Sequence, residues 1–175
     1  IIHDYIISCG AKPSFLGLYG FPKSTCISID EQVVHGIPGD RVIKEGQIVS
    51  VDVGAYKNGF HGDGARSIYV GKIDPMKKKL IDVTKECFFK GIEGICIGSS
   101  LGDIGAQIQQ HAEQSGFSVV RDMVGHGIGR NLHEDPQVPN YGRKGTGIRL
   151  KRNMTLAIEP MINMGDYRVE IDGWK

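Results

Sequence analysis

The chain has 175 residues, of which 40% are hydrophobic and 23% charged, a composition that fits one folded domain and excludes a disordered chain. Lys and Arg number 21 and Asp and Glu 20, so the net charge of +1 argues against a protein that binds nucleic acid by neutralising phosphates. No apolar run approaches the roughly 20 residues that a membrane-spanning helix needs, and we expect neither a nucleic-acid partner nor a membrane partner.

The N-terminal part of the chain is predicted to consist mainly of strands. Residues 1–7 have the pattern of a helix end that Gly10 closes, and residues 14–23 form a glycine-rich loop with many aromatic side chains. Segments rich in Val and Ile predict three strands, at 25–34, 46–56 and 60–70. The turn at 57–59, Lys-Asn-Gly, joins the last two strands into an antiparallel hairpin.

Two helices are predicted to follow this hairpin. The first covers 75–95, and the second runs from Ser100 as N-cap, with Asp103 three residues later, to Gly116. A long glycine-rich loop at 125–147 interrupts three further strands, at 118–121, 155–163 and 167–171. Strands, then helices, then strands, with antiparallel hairpins, predict an α+β fold.

The cysteines do not form a Cys-x-x-Cys pair. Their positions are Cys9, Cys26, Cys87 and Cys96. This spacing matches neither a zinc ribbon nor a disulfide framework, so we expect reduced thiols in a cytoplasmic protein.

Two aspartates, Asp52 and Asp63, lie on opposite arms of the predicted hairpin. Depending on which two residues occupy the centre of the turn, position 52 faces either 63 or 65. Both registers place the two carboxylates on the same face of the sheet, roughly 5–8 Å apart between Cβ atoms. Such a pair either holds a cation or faces water on the outer side of the sheet.

Further metal-ligating side chains follow in the second half of the chain. His126 lies between two glycines, which would let backbone approach a ligand closely, and Glu159 ends a predicted strand just before Pro160. Two aspartates, a histidine and a glutamate suit Mn, Fe, Co or Zn in a hydrolytic site better than a thiolate-bound structural zinc. The chain has neither a Gly-x-Ser-x-Gly elbow nor a His-Glu-x-x-His helix.

Four segments resemble, in the same order, those of the type I methionine aminopeptidases, which share the pita-bread fold with prolidase and creatinase. The segments are GAKPSFLGLYGFPKSTCISIDEQVVHGIPGD, GQIVSVDVGAYKNGFHGDGARSIYVG, GFSVVRDMVGHGIGRNLHEDPQVPNYG and LAIEPMINMG. The resemblance implies a curved antiparallel sheet with helices packed on its outer face. It also implies two divalent ions (Co, Mn, Fe or Zn), with Asp63 bridging both, bound by Asp52, Asp63, His126 and Glu159.

The resemblance further implies hydrolytic removal of the N-terminal methionine by a metal-bound hydroxide, with Glu159 also handling protons. His133 would contact the substrate carbonyl and His35 would lie near the scissile amide nitrogen, although by its sequence context alone His35 is a turn residue. The pocket for the methionine side chain would be lined by Phe15, Leu18, Phe21, Cys26, Leu132 and Trp174. Such an apolar, sulfur-tolerant slot suits an unbranched thioether.

Residues 1–175 are expected to be one catalytic domain that lacks the family's leading helices and a C-terminal strand carrying a further metal-binding glutamate. The chain as written should therefore bind a second ion poorly and turn over slowly. We expect it to be a monomer that acts on the N-termini of peptides or nascent chains, including at the ribosome.

Two alternatives stay open. A proline-specific aminopeptidase or dipeptidase of the same fold would use similar metal ligands. A relative without catalytic activity could use the fold as a binding module.

Overall fold

The computed structural model describes residues 1–172, which fall into two units. The first contains residues 1–77, the short segment 128–133 and Asp172, and the second contains residues 78–127 and 134–171. Trp174 lies outside the described residues.

The first unit is built around one long strand. Its elements are α1 (Ile2–Ser8), β1 (Lys12–Pro13), β2 (Cys26–Ile29), β3 (Ile48–Lys57) and β4 (Phe60–Tyr69). The central strand β3 pairs antiparallel with β4 along its whole length and with β1 and β2 over separate parts of its length. Apolar residues alternate along β3 at Val49, Val51 and Val53, so these side chains share one face of the sheet.

The hairpin between β3 and β4 has the second of the two registers considered. Asp52 faces Ala65, and Asp63 faces Gly54. Asn58 and Gly59 both have positive φ, 53° and 88°, as a type I′ turn requires at its two central positions. The predicted hairpin and the placement of both aspartates on one face are therefore confirmed.

The second unit contains most of the helical structure. Its elements are α2 (Pro75–Ile92, whose first three residues belong to the first unit), α3 (Leu101–Gln114), β5 (Ser118–Val119), β6 (Gly125–Gly127), β7 (Glu134–Val138), β8 (Leu156–Ala157) and β9 (Ile162–Asn163). The strands form a three-stranded sheet, β7-β6-β8, and a separate antiparallel pair, β5-β9.

The α3 helix begins where its cap predicts. The backbone N–H of Ser100 donates to Oδ2 of Asp103 at 2.7 Å, which is the reciprocal half of a capping box. The buried face of α3 includes Ile104 and Ile108 and packs in one core cluster with Val83 and Cys87 of α2. This burial, more than helix propensity, stabilises the helix pair.

Several predicted element bounds are wrong. The first predicted strand ends at Ile29 because Asp30 has a left-handed φ of 52°. The expected strand at 155–163 is divided into the short strands β8 and β9, and the expected loop at 125–147 contains β6 and β7. Residues 167–171 form no strand, since Asp166 instead accepts from the N–H of Arg168 and closes a local turn.

Within residues 1–172, no helix is long and apolar enough to cross a bilayer. All four cysteines are free thiols, with Cys9 and Cys96 exposed and Cys26 and Cys87 buried.

Candidate active site

The two aspartates lie on one face of the hairpin in the first unit. Asp52 on β3 and Asp63 on β4 are diagonal neighbours, because their directly paired positions are Ala65 and Gly54. Both side chains are half-buried. Two carboxylates on the same face of a sheet create a negative potential that favours a bound cation.

A buried apolar cluster lies in the same unit. The structure brings together Phe15, Phe21, Cys26 and Leu132 as a buried cluster, with Leu18 and Ile128 packed against it. Five of the six predicted pocket residues are thus assembled, and the sixth, Trp174, lies outside the described residues. Ile128 was not predicted, although its place two residues after His126 in the glycine-rich segment is a signal that could have indicated it.

The apolar cluster shares a face of the sheet with the aspartates. Cys26 is the direct cross-strand partner of Asp52, so their side chains project to the same side. A Cβ at Gly54, the position opposite Asp63, would lie 2.5 Å from a ring carbon of Phe15. A glycine is therefore needed there for the Phe15 ring to pack against the strand.

The pKa of Cys26 is affected by both the cluster and the aspartates. Burial, followed by the nearby negative charges of Asp52 and Asp63, raises the pKa of the Cys26 thiol to about 12. The thiol is therefore neutral at physiological pH and contributes an apolar, polarizable surface to the pocket.

The glycines on both sides of His126 serve the sheet of the second unit. A Cβ at Gly125 would collide with the backbone carbonyl of Ala157 on β8, and one at Gly127 would collide with the carbonyl of Asp135 on β7. These glycines thus allow close approach of the neighbouring strands. A register shift between His126 and Gly127 marks a bulge in β6.

One ring nitrogen of His126 is fixed by the backbone. Nδ1 lies 2.8 Å from the carbonyl oxygen of Gly127, which can only accept a hydrogen bond, so Nδ1 carries the proton in the neutral ring. Nε2 then carries a lone pair. A metal-binding histidine usually has this arrangement, in which the ring nitrogen that does not bind the metal donates to a carbonyl.

Glu159 follows β8 by two residues, instead of ending a strand as predicted. Its Oε1 lies 3.1 Å from Nε2 of His126 and is buried without a hydrogen-bond partner among the described residues. Two atoms that both present lone pairs repel each other at this distance unless a cation or a proton lies between them. The His126–Glu159 pair therefore fits a divalent metal ion, as its nitrogen and carboxylate donors also indicate.

Two further histidines were predicted to contact substrate. His133 is exposed, and its ring is parallel to that of Tyr19, with centroids 6.3 Å apart. His35 is exposed on the segment after β2 and has a left-handed φ of 60°. The next residue, Gly36, donates its N–H to Oγ of Ser28 at 3.0 Å, which anchors this segment to β2.

Sequence reasoning missed two neighbours of the predicted residues. Tyr19 stacks on His133, and the fully buried Asn140 donates to the backbone carbonyl of Glu159. A polar residue directly after an apolar strand end, as Asn140 follows Val138-Pro139, is a weak signal that could have drawn attention to it.

Comparison with known proteins gives consistent results. Residues 2–175 match the profile of the family described as "Metallopeptidase family M24". A methionine aminopeptidase of Clostridium perfringens is 57% identical over 99% of this chain and 71% of its own length. The crystal structure of a methionine aminopeptidase from Thermotoga maritima is 50% identical, with a TM-score of 0.95 over 97% of this chain and 68% of that chain.

A more distant structural neighbour has the same fold. Prolidase from Pyrococcus furiosus is 25% identical, with a TM-score of 0.67 over 78% of this chain and 40% of that chain. These similarities confirm the α+β, pita-bread fold. The match over nearly all residues shows that the chain belongs to metallopeptidase family M24.

Proposed function

We propose that this protein is a metal-dependent aminopeptidase that removes the N-terminal methionine from peptides and proteins by hydrolysing the first peptide bond. The observation that carries the proposal is the facing pair of lone-pair donors, Nε2 of His126 and Oε1 of Glu159, which lie 3.1 Å apart. Family membership and the 57% identity to a methionine aminopeptidase support it.

The ligands that we propose for the metal are Asp52, Asp63, His126 and Glu159. Their oxygen and imidazole donors suit Co, Mn, Fe or Zn, and Asp63 is proposed to bridge two ions. Divalent ions bound there would lower the pKa of a water molecule and polarise the scissile carbonyl. We propose that both units contribute to one catalytic domain.

The other residues would orient the substrate and move protons. The cluster of Phe15, Phe21, Cys26 and Leu132 holds the methionine side chain, since its apolar surface and neutral thiol match a thioether. His133 donates a hydrogen bond to the substrate carbonyl, and His35 contacts the scissile amide nitrogen. The Glu159 carboxylate takes up the proton that is released and passes it to the leaving amine.

The biological substrates are proposed to be nascent chains as well as free peptides. We propose that the protein acts as a monomer in the cytoplasm and meets nascent N-termini at the ribosome. Sedimentation would test the monomer, and pelleting with ribosomes would test the encounter with nascent chains.

A proline-specific aminopeptidase or dipeptidase is the alternative function, because prolidase has the same fold. Its similarity is weaker than that of the methionine aminopeptidases, with a TM-score of 0.67 against 0.95. The apolar cluster that we propose as the methionine pocket also favours a long unbranched side chain at the first position over selection for proline at the second. A binding module without activity is disfavoured, because the four proposed ligands are all present in the chain.

A comparison of two substrates tests the proposal. The metal-supplied protein is given Met-Ala-Ser and Ala-Pro-Ser at equal concentration, and the released amino acid is quantified by mass spectrometry. We expect free methionine from the first peptide and little alanine from the second. Faster release of alanine would favour the proline-specific enzyme. Because slow turnover is expected, the incubation is long, and no release from either peptide at its end would contradict the proposed activity.

A further inference from the structure

Asn140 is one of the most deeply buried polar residues in the second unit. It follows β7 by two residues and has 0% exposure. Its Nδ2 donates to the backbone carbonyl oxygen of Glu159 at 2.7 Å. Its Oδ1 is buried and accepts no hydrogen bond within the described part of the chain. The orientation of the amide follows from its partner, because a carbonyl oxygen accepts only from the NH₂ group.

The backbone at Glu159 lies outside the regular strands. The strand β8 ends at Ala157 and β9 begins at Ile162, so Glu159 lies between two strands. Pro160 follows directly and has no N–H to donate. The next backbone hydrogen bond along the segment is the one that the Met161 carbonyl accepts from Val120, at 3.0 Å.

A buried amide with one unpaired atom destabilises a protein relative to an apolar side chain of similar size. Such a group is expected to persist where its remaining hydrogen bond holds a functional segment in place. Here that bond ties Glu159 to the end of β7. His126 is on β6, which pairs with both β7 and β8. The Asn140 hydrogen bond therefore joins Glu159 to the same sheet that carries His126.

We propose that Asn140 is a positioning residue for the metal site. It fixes the Glu159 backbone so that the carboxylate stays beside Nε2 of His126 before any metal binds. The inference rests on the proposed function, in which Glu159 is a metal ligand. Without Asn140, the segment between β8 and β9 samples more conformations, and binding of the metal must restrict them.

The test compares the unsubstituted protein with Asn140→Leu, which keeps the branched shape of the side chain but has no hydrogen-bond donor. Metal-free protein is titrated with Mn by calorimetry, and hydrogen exchange of residues 156–163 is followed without metal. Asn140→Leu should weaken Mn binding by about tenfold or more and accelerate exchange in this segment. Asn140→Ala, which also lacks the donor, serves if the leucine variant does not fold.

Val138→Ala is the matched control, because Val138 is also fully buried at the end of β7 but belongs to the apolar core. It should lower thermal stability and leave the Mn dissociation constant within about twofold. Equal weakening of Mn binding by Val138→Ala and the Asn140 variants, or unchanged binding in a folded Asn140 variant, would overturn the inference.

Glu159→Gln separates this inference from the proposed function. If Glu159→Gln leaves Mn binding unchanged, the assignment of Glu159 as a ligand is wrong, and the positioning role of Asn140 is wrong with it. If Glu159→Gln weakens binding but the Asn140 variants do not, only the positioning role is wrong.

Discussion

In the first unit, the apolar cluster and the two aspartates lie next to each other on one face of the sheet. Cys26 belongs to the apolar cluster and is also the cross-strand partner of Asp52. A methionine side chain held in this cluster would therefore place its own backbone near the carboxylates. In the proposed function, this one cross-strand pair would join the methionine-binding cluster to a metal ligand.

The thiols should differ sharply in reactivity. Burial raises the pKa of Cys26 and that of Cys87 to about 12, with negative charges adding to the effect at both sites, whereas Cys9 and Cys96 are exposed. Because only the thiolate attacks iodoacetamide, folded protein at about pH 8 should be alkylated at Cys9 and Cys96 alone. Peptide mapping by mass spectrometry reads this out. Rapid labelling of Cys26 in folded protein would contradict the burial described here, and denatured protein should label at all four positions.

Filling the pocket should impair recognition of methionine. Cys26→Leu adds bulk at a position that is only 5% exposed, so we expect kcat/KM for Met-Ala-Ser to fall by about tenfold. Cys96→Leu makes the same change at an exposed position and should leave the rate unchanged. Equal rates for the two variants would show that the methionine side chain does not bind in the cluster that contains Cys26.

At the scale of elements, Asp30 joins the end of β2 to β3 and α2. Its carboxylate accepts hydrogen bonds from the Ile48 N–H, from Gln47 and from Lys77, at 2.8–3.1 Å. Partial burial alone would raise the pKa of Asp30, but these hydrogen bonds and the Lys77 charge outweigh it and lower the pKa below 3.8. The carboxylate therefore stabilises the fold at neutral pH.

Asp30→Asn should lower the free energy of unfolding by about 1.5 kcal/mol at neutral pH. A carboxyl with a depressed pKa contributes its full stabilisation above its usual pKa and loses it as the pH falls through the folded-state pKa, so the difference should be smaller at a pH well below 3.8 than at neutral pH. Urea unfolding at the two pH values measures it. Glu31→Gln, an exposed neighbour, is the control, and a difference that does not change with pH would contradict the account.

The spacing of the strands in the second unit should depend on Gly125. An alanine there would clash with the carbonyl of Ala157, so Gly125→Ala should lower stability by about 2 kcal/mol. Gly39→Ala introduces a Cβ into open space and should have little effect. Thermal unfolding of both variants provides the comparison, and similar melting temperatures would refute this role for Gly125.

The same elements show what sequence can and cannot predict. The β3–β4 hairpin follows from local signals, an Asn-Gly turn and alternating apolar residues, and α3 follows from Ser100 and Asp103. The strands β8 and β9 are not resolved from sequence because each has only two residues, which leaves no periodicity, and because each pairs with a strand distant in sequence. The contact of Asn140 with Glu159 depends on the same non-local pairing.

At the scale of the molecule, the order of the motifs identified the family, while the chemistry of individual atoms required the structure. The predicted ligands could be named from sequence, but the fixed Nδ1 proton of His126 and the buried Oε1 of Glu159 could not. These two features provide the physical reason for a cation at this position. The central claim is accordingly that a metal held by these residues enables methionine release.

The most direct test measures free methionine released from Met-Ala-Ser by protein that has been stripped with EDTA and then supplied with Co or Mn. Stripping should abolish release, either metal should restore it, and His126→Ala should recover less than about one hundredth of the restored rate. Release that survives complete stripping, or that returns equally in His126→Ala, would contradict it.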